Sequence, residues 1–156
     1  MHRPTRFISM VALAAVMTML LGVGVVAAAH TTLTVSLSGS AEVPQAGDPN
    51  GKGSGTVSLY PSTDNPTGNN VCYDLKLQAI GATVAAHIHE APVGVSGGVV
   101  VDLEIGSAER RGNRLSNCVT VDQELVNEIL AGPAGYYVNV HTSEFPGGAI
   151  RGQLGS

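Results

Sequence analysis

The stretch Ala85-Ala86-His87-Ile88-His89, read with Tyr136-Tyr137-Val138-Asn139-Val140-His141-Thr142, decides both the fold class and where the chemistry lies. Both are runs of apolar and β-branched residues with the two-residue alternation of a strand. Both carry histidine where a strand ordinarily carries a hydrophobe or a bland polar residue. Side chains alternate faces along a strand, so His87 and His89 share one face, about 6–7 Å apart. On the second run Tyr137, Asn139 and His141 share one face, while Tyr136, Val138 and Val140 share the other. If the two strands come together, three imidazoles converge. Imidazole suits copper, zinc, nickel or iron, and three of them with an open position make a reactive or exchangeable site.

Outward from these runs the chain reads as strands separated by turns. Thr32–Leu37 alternates polar and apolar residues, and Gly55–Tyr60 is a second strand ended by Pro61 and a turn cluster reaching Asn70. Val71–Ala79 alternates again, with Tyr73, Leu75 and Leu77 on one face and Cys72 on the other. Val84–His89 is followed by the glycine-rich loop Ala91–Gly98 and by Val99–Leu103. Residues 104–114, with Arg110, Arg111 and Arg114, read as a solvated hairpin tip, and Leu115–Val121 forms a strand around Cys118. One helix is predicted: Asp122 caps it, and Leu125, Val126, Ile129 and Leu130 form its apolar stripe. Gly132 and Pro133 stop it. Gly135–Thr142 and Ala149–Leu154 are the last strands. Eight short strands with this punctuation predict an all-β fold, an antiparallel Greek-key β-sandwich or barrel with one short helix.

The 156 residues suffice for one domain. A basic start with Arg3 and Arg6, an apolar run from Phe7 to Val26 and the small residues Ala27-Ala28-Ala29 have the grammar of a secretory signal peptide. Residues 1–29 are therefore read as a leader and 30–156 as the domain; a membrane association is expected only through an uncleaved leader. Loss of two arginines moves the formal charge from −4 to −6. A weakly acidic domain has no nucleic-acid footprint. In an exported chain the pair Cys72 and Cys118 reads as one disulfide.

At this point the residues resemble a known family. Ser38-Gly39-x-x-Glu42-Val43-Pro44, then Ala86-His87-Ile88-His89 before a glycine-rich loop, then Tyr137-Val138-Asn139-Val140-His141-Thr142 with Pro146-Gly147-Gly148-x-Ile150-Arg151-Gly152-Gln153-Leu154, are similar to the CHRD (chordin-type) domain. The likeness runs from about Thr32 to Leu154 and implies a β-sandwich and export, without a defined reaction. Gln45, Ala91 and Ala149 stand where the family often has proline, glycine and glutamate. A looser likeness joins His87, His89, His141 and Arg151 to copper–zinc superoxide dismutase. The further histidine and the zinc loop of that enzyme are missing, which excludes its dinuclear centre and leaves a mononuclear copper relative.

Three readings follow. The first is an exported domain binding a metal at His87, His89 and His141 for sequestration or delivery, copper favoured and zinc the alternative. His30 would add a fourth nitrogen if cleavage falls just before it. Tyr137, Asn139 and Arg151 would surround the ligands, Asn139 orienting an imidazole and Arg151 pairing with Glu42 or steering an anion. The second is a mononuclear copper enzyme akin to superoxide dismutase. The third is an extracellular protein-interaction module in which the histidines only organise a loop. No Ser-His-Asp set, phosphate loop or paired-carboxylate motif stands out.

Overall fold

The computed structural model describes residues 30–61 and 70–155. The expected leader lies outside the described residues, as does most of the turn cluster after Pro61. Among the described residues nine strands form one antiparallel sheet: β1 Thr31–Ser38, β2 Lys52–Leu59, β3 Val71–Gln78, β4 Thr83–Glu90, β5 Gly98–Asp102, β6 Glu109–Arg111, β7 Arg114–Val119, β8 Tyr136–Thr142 and β9 Ile150–Gly155. Their lateral order is β5-β4-β8-β9-β1-β2-β3-β7-β6. Connections from β3 to β4, β5 to β6 and β7 to β8 therefore cross between the two ends of the order, as Greek-key chains do.

The sheet curls until its ends meet over one core. The Tyr73 hydroxyl on β3 donates to the Leu103 carbonyl just past β5, at 2.8 Å. Arg110 on β6 reaches the Thr83 carbonyl on β4. Between the two halves lie Leu33, Val35, Val57, Leu75, Ile88, Val138 and Ile150, all buried. Alternation decides which residues these are: on β4 Ala86 and Ile88 point inward, and on β8 Tyr136, Val138 and Val140 do so. The all-β expectation holds.

Two local expectations are corrected. Arg110 and Arg111 lie on a ninth strand, which β6 forms by pairing antiparallel with β7 around Gly112 at φ 62°. The polar composition of a short, exposed edge strand hides it from a hydrophobic pattern. The helix, α1, spans Gln123–Ala131 with Asp122 at its N-cap position, but the Asp122 side chain makes no capping hydrogen bond. What holds α1 is its stripe: Val126 and Ile129 are fully buried against the core, with Leu125 and Leu130 packed beside them.

Cys72 and Cys118 form a disulfide between opposite positions of β3 and β7. Because the cross-link spans 46 residues, closing that loop contributes about 4 kcal/mol of loop-closure entropy. The double variant Cys72→Ala/Cys118→Ala is expected to keep its strand content and to lose about 2–4 kcal/mol in urea unfolding monitored by circular dichroism. Unchanged stability would show that strand pairing alone holds this edge.

Candidate functional site

Strand β8 is buried on both faces, although only one of them looks into the core. Its other face, with the neighbouring positions of β4 and β9, carries a second, polar layer. Register sets its pattern. His87 lies opposite Asn139, and Asn139 opposite Arg151; His89 lies opposite Tyr137, and Tyr137 opposite Gln153. His141 stands two residues beyond Asn139, which puts it diagonal to His87. A bulge between Ile88 and His89 on the β5 side accommodates the layer at the sheet edge.

The three expected histidines meet. One ring nitrogen from each of His87, His89 and His141 lies within 4.8 Å of the others, and His87 Nδ1 is 3.1 Å from His141 Nε2. Two backbone carbonyls fix the chemistry of this cluster. His89 Nδ1 lies 3.0 Å from the Gly97 carbonyl, and His141 Nδ1 lies 3.0 Å from the Pro146 carbonyl. A carbonyl only accepts, so both Nδ1 atoms carry the proton and both Nε2 atoms of the neutral rings are acceptors, that of His141 facing His87 Nδ1. His89 Nε2 is buried without a hydrogen-bond partner among the described residues. Loops that sequence reading took for plain turns thus orient the imidazoles; the signal available was a proline or glycine a few residues after each histidine.

Tyr137 braces the same ring. Its phenol stacks on His89, with centroids 4.8 Å apart and planes 9° apart, and its oxygen accepts the Gly97 N–H at 3.2 Å. On its other side the Arg151 guanidinium lies 3.4 Å from the ring centroid. Arg151 also donates to the Pro92 carbonyl, and Gln153 to that of Ala91, so the 91–97 loop is tied to the layer at several points. Gly97 has no room for a side chain: a Cβ there would sit 1.9 Å from the Glu90 carbonyl oxygen.

Burial acts on the charges. Desolvation pulls the pKa of His87 below the ordinary imidazole value, helped by the positive charge of His141. Desolvation does the same to His89, against the opposing hydrogen bond to Gly97 and with help from His141 and Arg151. Glu42, only 5 % exposed, is pushed up to about 7 by burial, against the Arg151 charge and the Asn139 hydrogen bond. It accepts from Asn139 Nδ2 at 3.3 Å and lies flat against Gly148, where a Cβ would fall 2.5 Å from its Oε2.

Other expected residues go elsewhere. The His30 ring stacks on Tyr60, and it does not join the three-histidine cluster. Arg151 is 2 % exposed beneath Tyr137, which removes it from the open surface an anion-steering arginine needs. It acts on Glu42 through space, while the bonds it makes go to Tyr137 and Pro92. A groove of about 280 Å³ runs beside the layer, bordered by Pro44, Gln45, Ser96, Glu144, Phe145 and Pro146. A wider groove of about 560 Å³ between residues 77–83 and 110–115 holds none of the clustered side chains, so size does not mark the site here.

The CHRD domain family model matches residues 33–154, and the chain belongs to this family. No curated protein and no solved structure matches it. The four stretches that carried the resemblance all meet in this polar layer: Glu42, the His87/His89 pair, the Tyr137–His141 face and Arg151.

The raised Glu42 pKa has a signed consequence. The fold prefers the neutral carboxyl, so the stability Glu42 contributes is complete below pH 4.5 and is lost as the pH rises through about 7. Glu42→Gln is expected to flatten the stability–pH curve over that window, by on the order of 2–3 kcal/mol, in denaturant unfolding at pH 5 and 8. A variant with the wild-type slope would place the titrating group elsewhere.

Proposed function

We propose that this CHRD domain is an extracytoplasmic metal-binding module. It holds copper, or zinc as the alternative, through His87, His89 and His141, for sequestration or delivery. One observation carries the reading: the Gly97 and Pro146 carbonyls accept from Nδ1 of His89 and His141, which turns both Nε2 lone pairs into a cluster spanning 4.8 Å, that of His141 against His87 Nδ1 and that of His89 buried and unpartnered among the described residues. Carbonyl-anchored imidazoles are how proteins orient nitrogen ligands toward a cation. Lowered pKa values at His87 and His89 keep those rings neutral, as a ligand must be. Among the described residues no fourth histidine, thiol or carboxylate joins the cluster, which leaves a position for an incoming ligand or a receiving partner. Nitrogen ligands favour copper by intrinsic affinity. The disulfide fits an oxidising, extracytoplasmic setting.

Calorimetric titration with copper(II) is expected to give one binding event per chain at micromolar Kd or tighter. The His87→Ala/His89→Ala/His141→Ala variant, checked for folding by circular dichroism, is expected to give none. Equal binding by both would place the metal elsewhere. Absence of binding by both would turn the reading to a protein-interaction surface.

A further inference from the structure

We infer that the three-histidine site selects a singly charged, closed-shell cation over a doubly charged one, so that the copper it takes is copper(I). This rests on the metal-binding reading above and adds the charge of the ion to it.

The argument is electrostatic. All three ligands are neutral imidazoles, and no thiolate or carboxylate belongs to the cluster among the described residues. An ion bound there keeps its whole charge, and the cost of moving an ion out of water grows with the square of that charge. Behind the cluster sits a full, buried positive charge. Arg151 is 2 % exposed and lies 3.4 Å from the Tyr137 ring, which in turn stacks 4.8 Å from His89. Among the described residues the ion pairs are Arg111 with Glu109 and Arg114 with Asp74, so Arg151 has no carboxylate in contact. Its repulsion on a dication is twice that on a monocation.

The acids nearby do little to offset this. Glu42 accepts its hydrogen bond from Asn139 rather than from an imidazole, and burial keeps it partly protonated near neutrality. Asp102 stands opposite His87 in the ladder and acts on it, but it is exposed and therefore screened, and its Oδ1 is taken by the Glu104 N–H. Three nitrogen ligands also fall short of the four that zinc ordinarily collects.

Silver(I) and zinc(II) are a closed-shell monocation and dication, neither of which requires a reductant that would open the disulfide, and charge variants of the surroundings separate their charge from their size and softness. Competition titrations in chloride-free buffer are expected to show silver(I) bound more tightly than zinc(II) by at least about tenfold. Asp102→Asn, an exposed and fold-neutral change, is expected to raise that ratio by about two- to threefold, because it removes the one opposing charge on His87. Arg151→Gln is expected to lower it by about three- to tenfold, and Arg151→Lys to retain it. Zinc(II) bound as tightly as silver(I), or a ratio that a folded Arg151→Gln chain leaves unchanged, would overturn the inference while leaving the metal site standing. A chain that binds neither ion, nor copper(II), would overturn the metal reading itself.

Discussion

The register of β4 on β8 is the constraint from which the rest of the structure descends. Ile88 opposite Val138 and Ala86 opposite Val140 fill the core, and the same pairing sets His87 opposite Asn139 and His89 opposite Tyr137 on the other face. A slip of one residue would drive two imidazoles into the apolar interior and put Ile88 among polar side chains. The core residues therefore choose the site geometry before any histidine contact forms. Burial of Ile88 and Val138 contributes about 1.5–3 kcal/mol each, more than a typical neutral hydrogen bond in the outer layer.

That outer layer is costly by comparison. Buried polar groups are tolerated when they satisfy one another, and most of these do: Gly97 bridges His89 and Tyr137 through its carbonyl and its N–H, while Arg151 and Gln153 hold the loop carbonyls at Pro92 and Ala91. The layer also has the effect of covering its own strands. Residues 91–97 and 145–149 contribute few apolar side chains to the core, and their attachment comes instead from bonds to site residues. Val93 and Val95, at the tip of the first loop, are left exposed. Order in these loops and order in the histidine cluster are consequently one property.

Much of this was legible in the sequence, and the reasons are local. Alternation in 71–79, 84–89 and 135–142 marks strands because each has one face in the core, and the same alternation puts Tyr137, Asn139 and His141 together. Convergence of His141 with the pair on β4 depended on which strands neighbour each other, which periodicity cannot supply, so it stood in the sequence only as a condition. Backbone carbonyls are invisible to a reading of side chains, so the roles of Gly97 and Pro146 did not show. His30 illustrates the opposite error. A histidine near the expected cleavage point invites a ligand role, yet its position before Thr31, opposite Leu59, puts it near Tyr60, many residues along β1 from Ser38, where β1 meets Arg151.

A structural network and a ligand site differ in what they leave unfinished. A network that serves stability alone gains from closing every donor–acceptor pair, and an apolar layer of similar volume would serve as well or better. Here, among the described residues, the unfinished atoms include the acceptors His89 Nε2 and Asn139 Oδ1, both buried within one layer. Arg151, the strongest donor present, spends itself on Tyr137 and Pro92. The layer is thus rich in lone pairs and short of positive groups at the histidines, while Arg151 supplies positive potential from behind. On the proposed metal reading a cation at the imidazoles would use these lone pairs, and the guanidinium behind them would limit how much charge that occupant can carry.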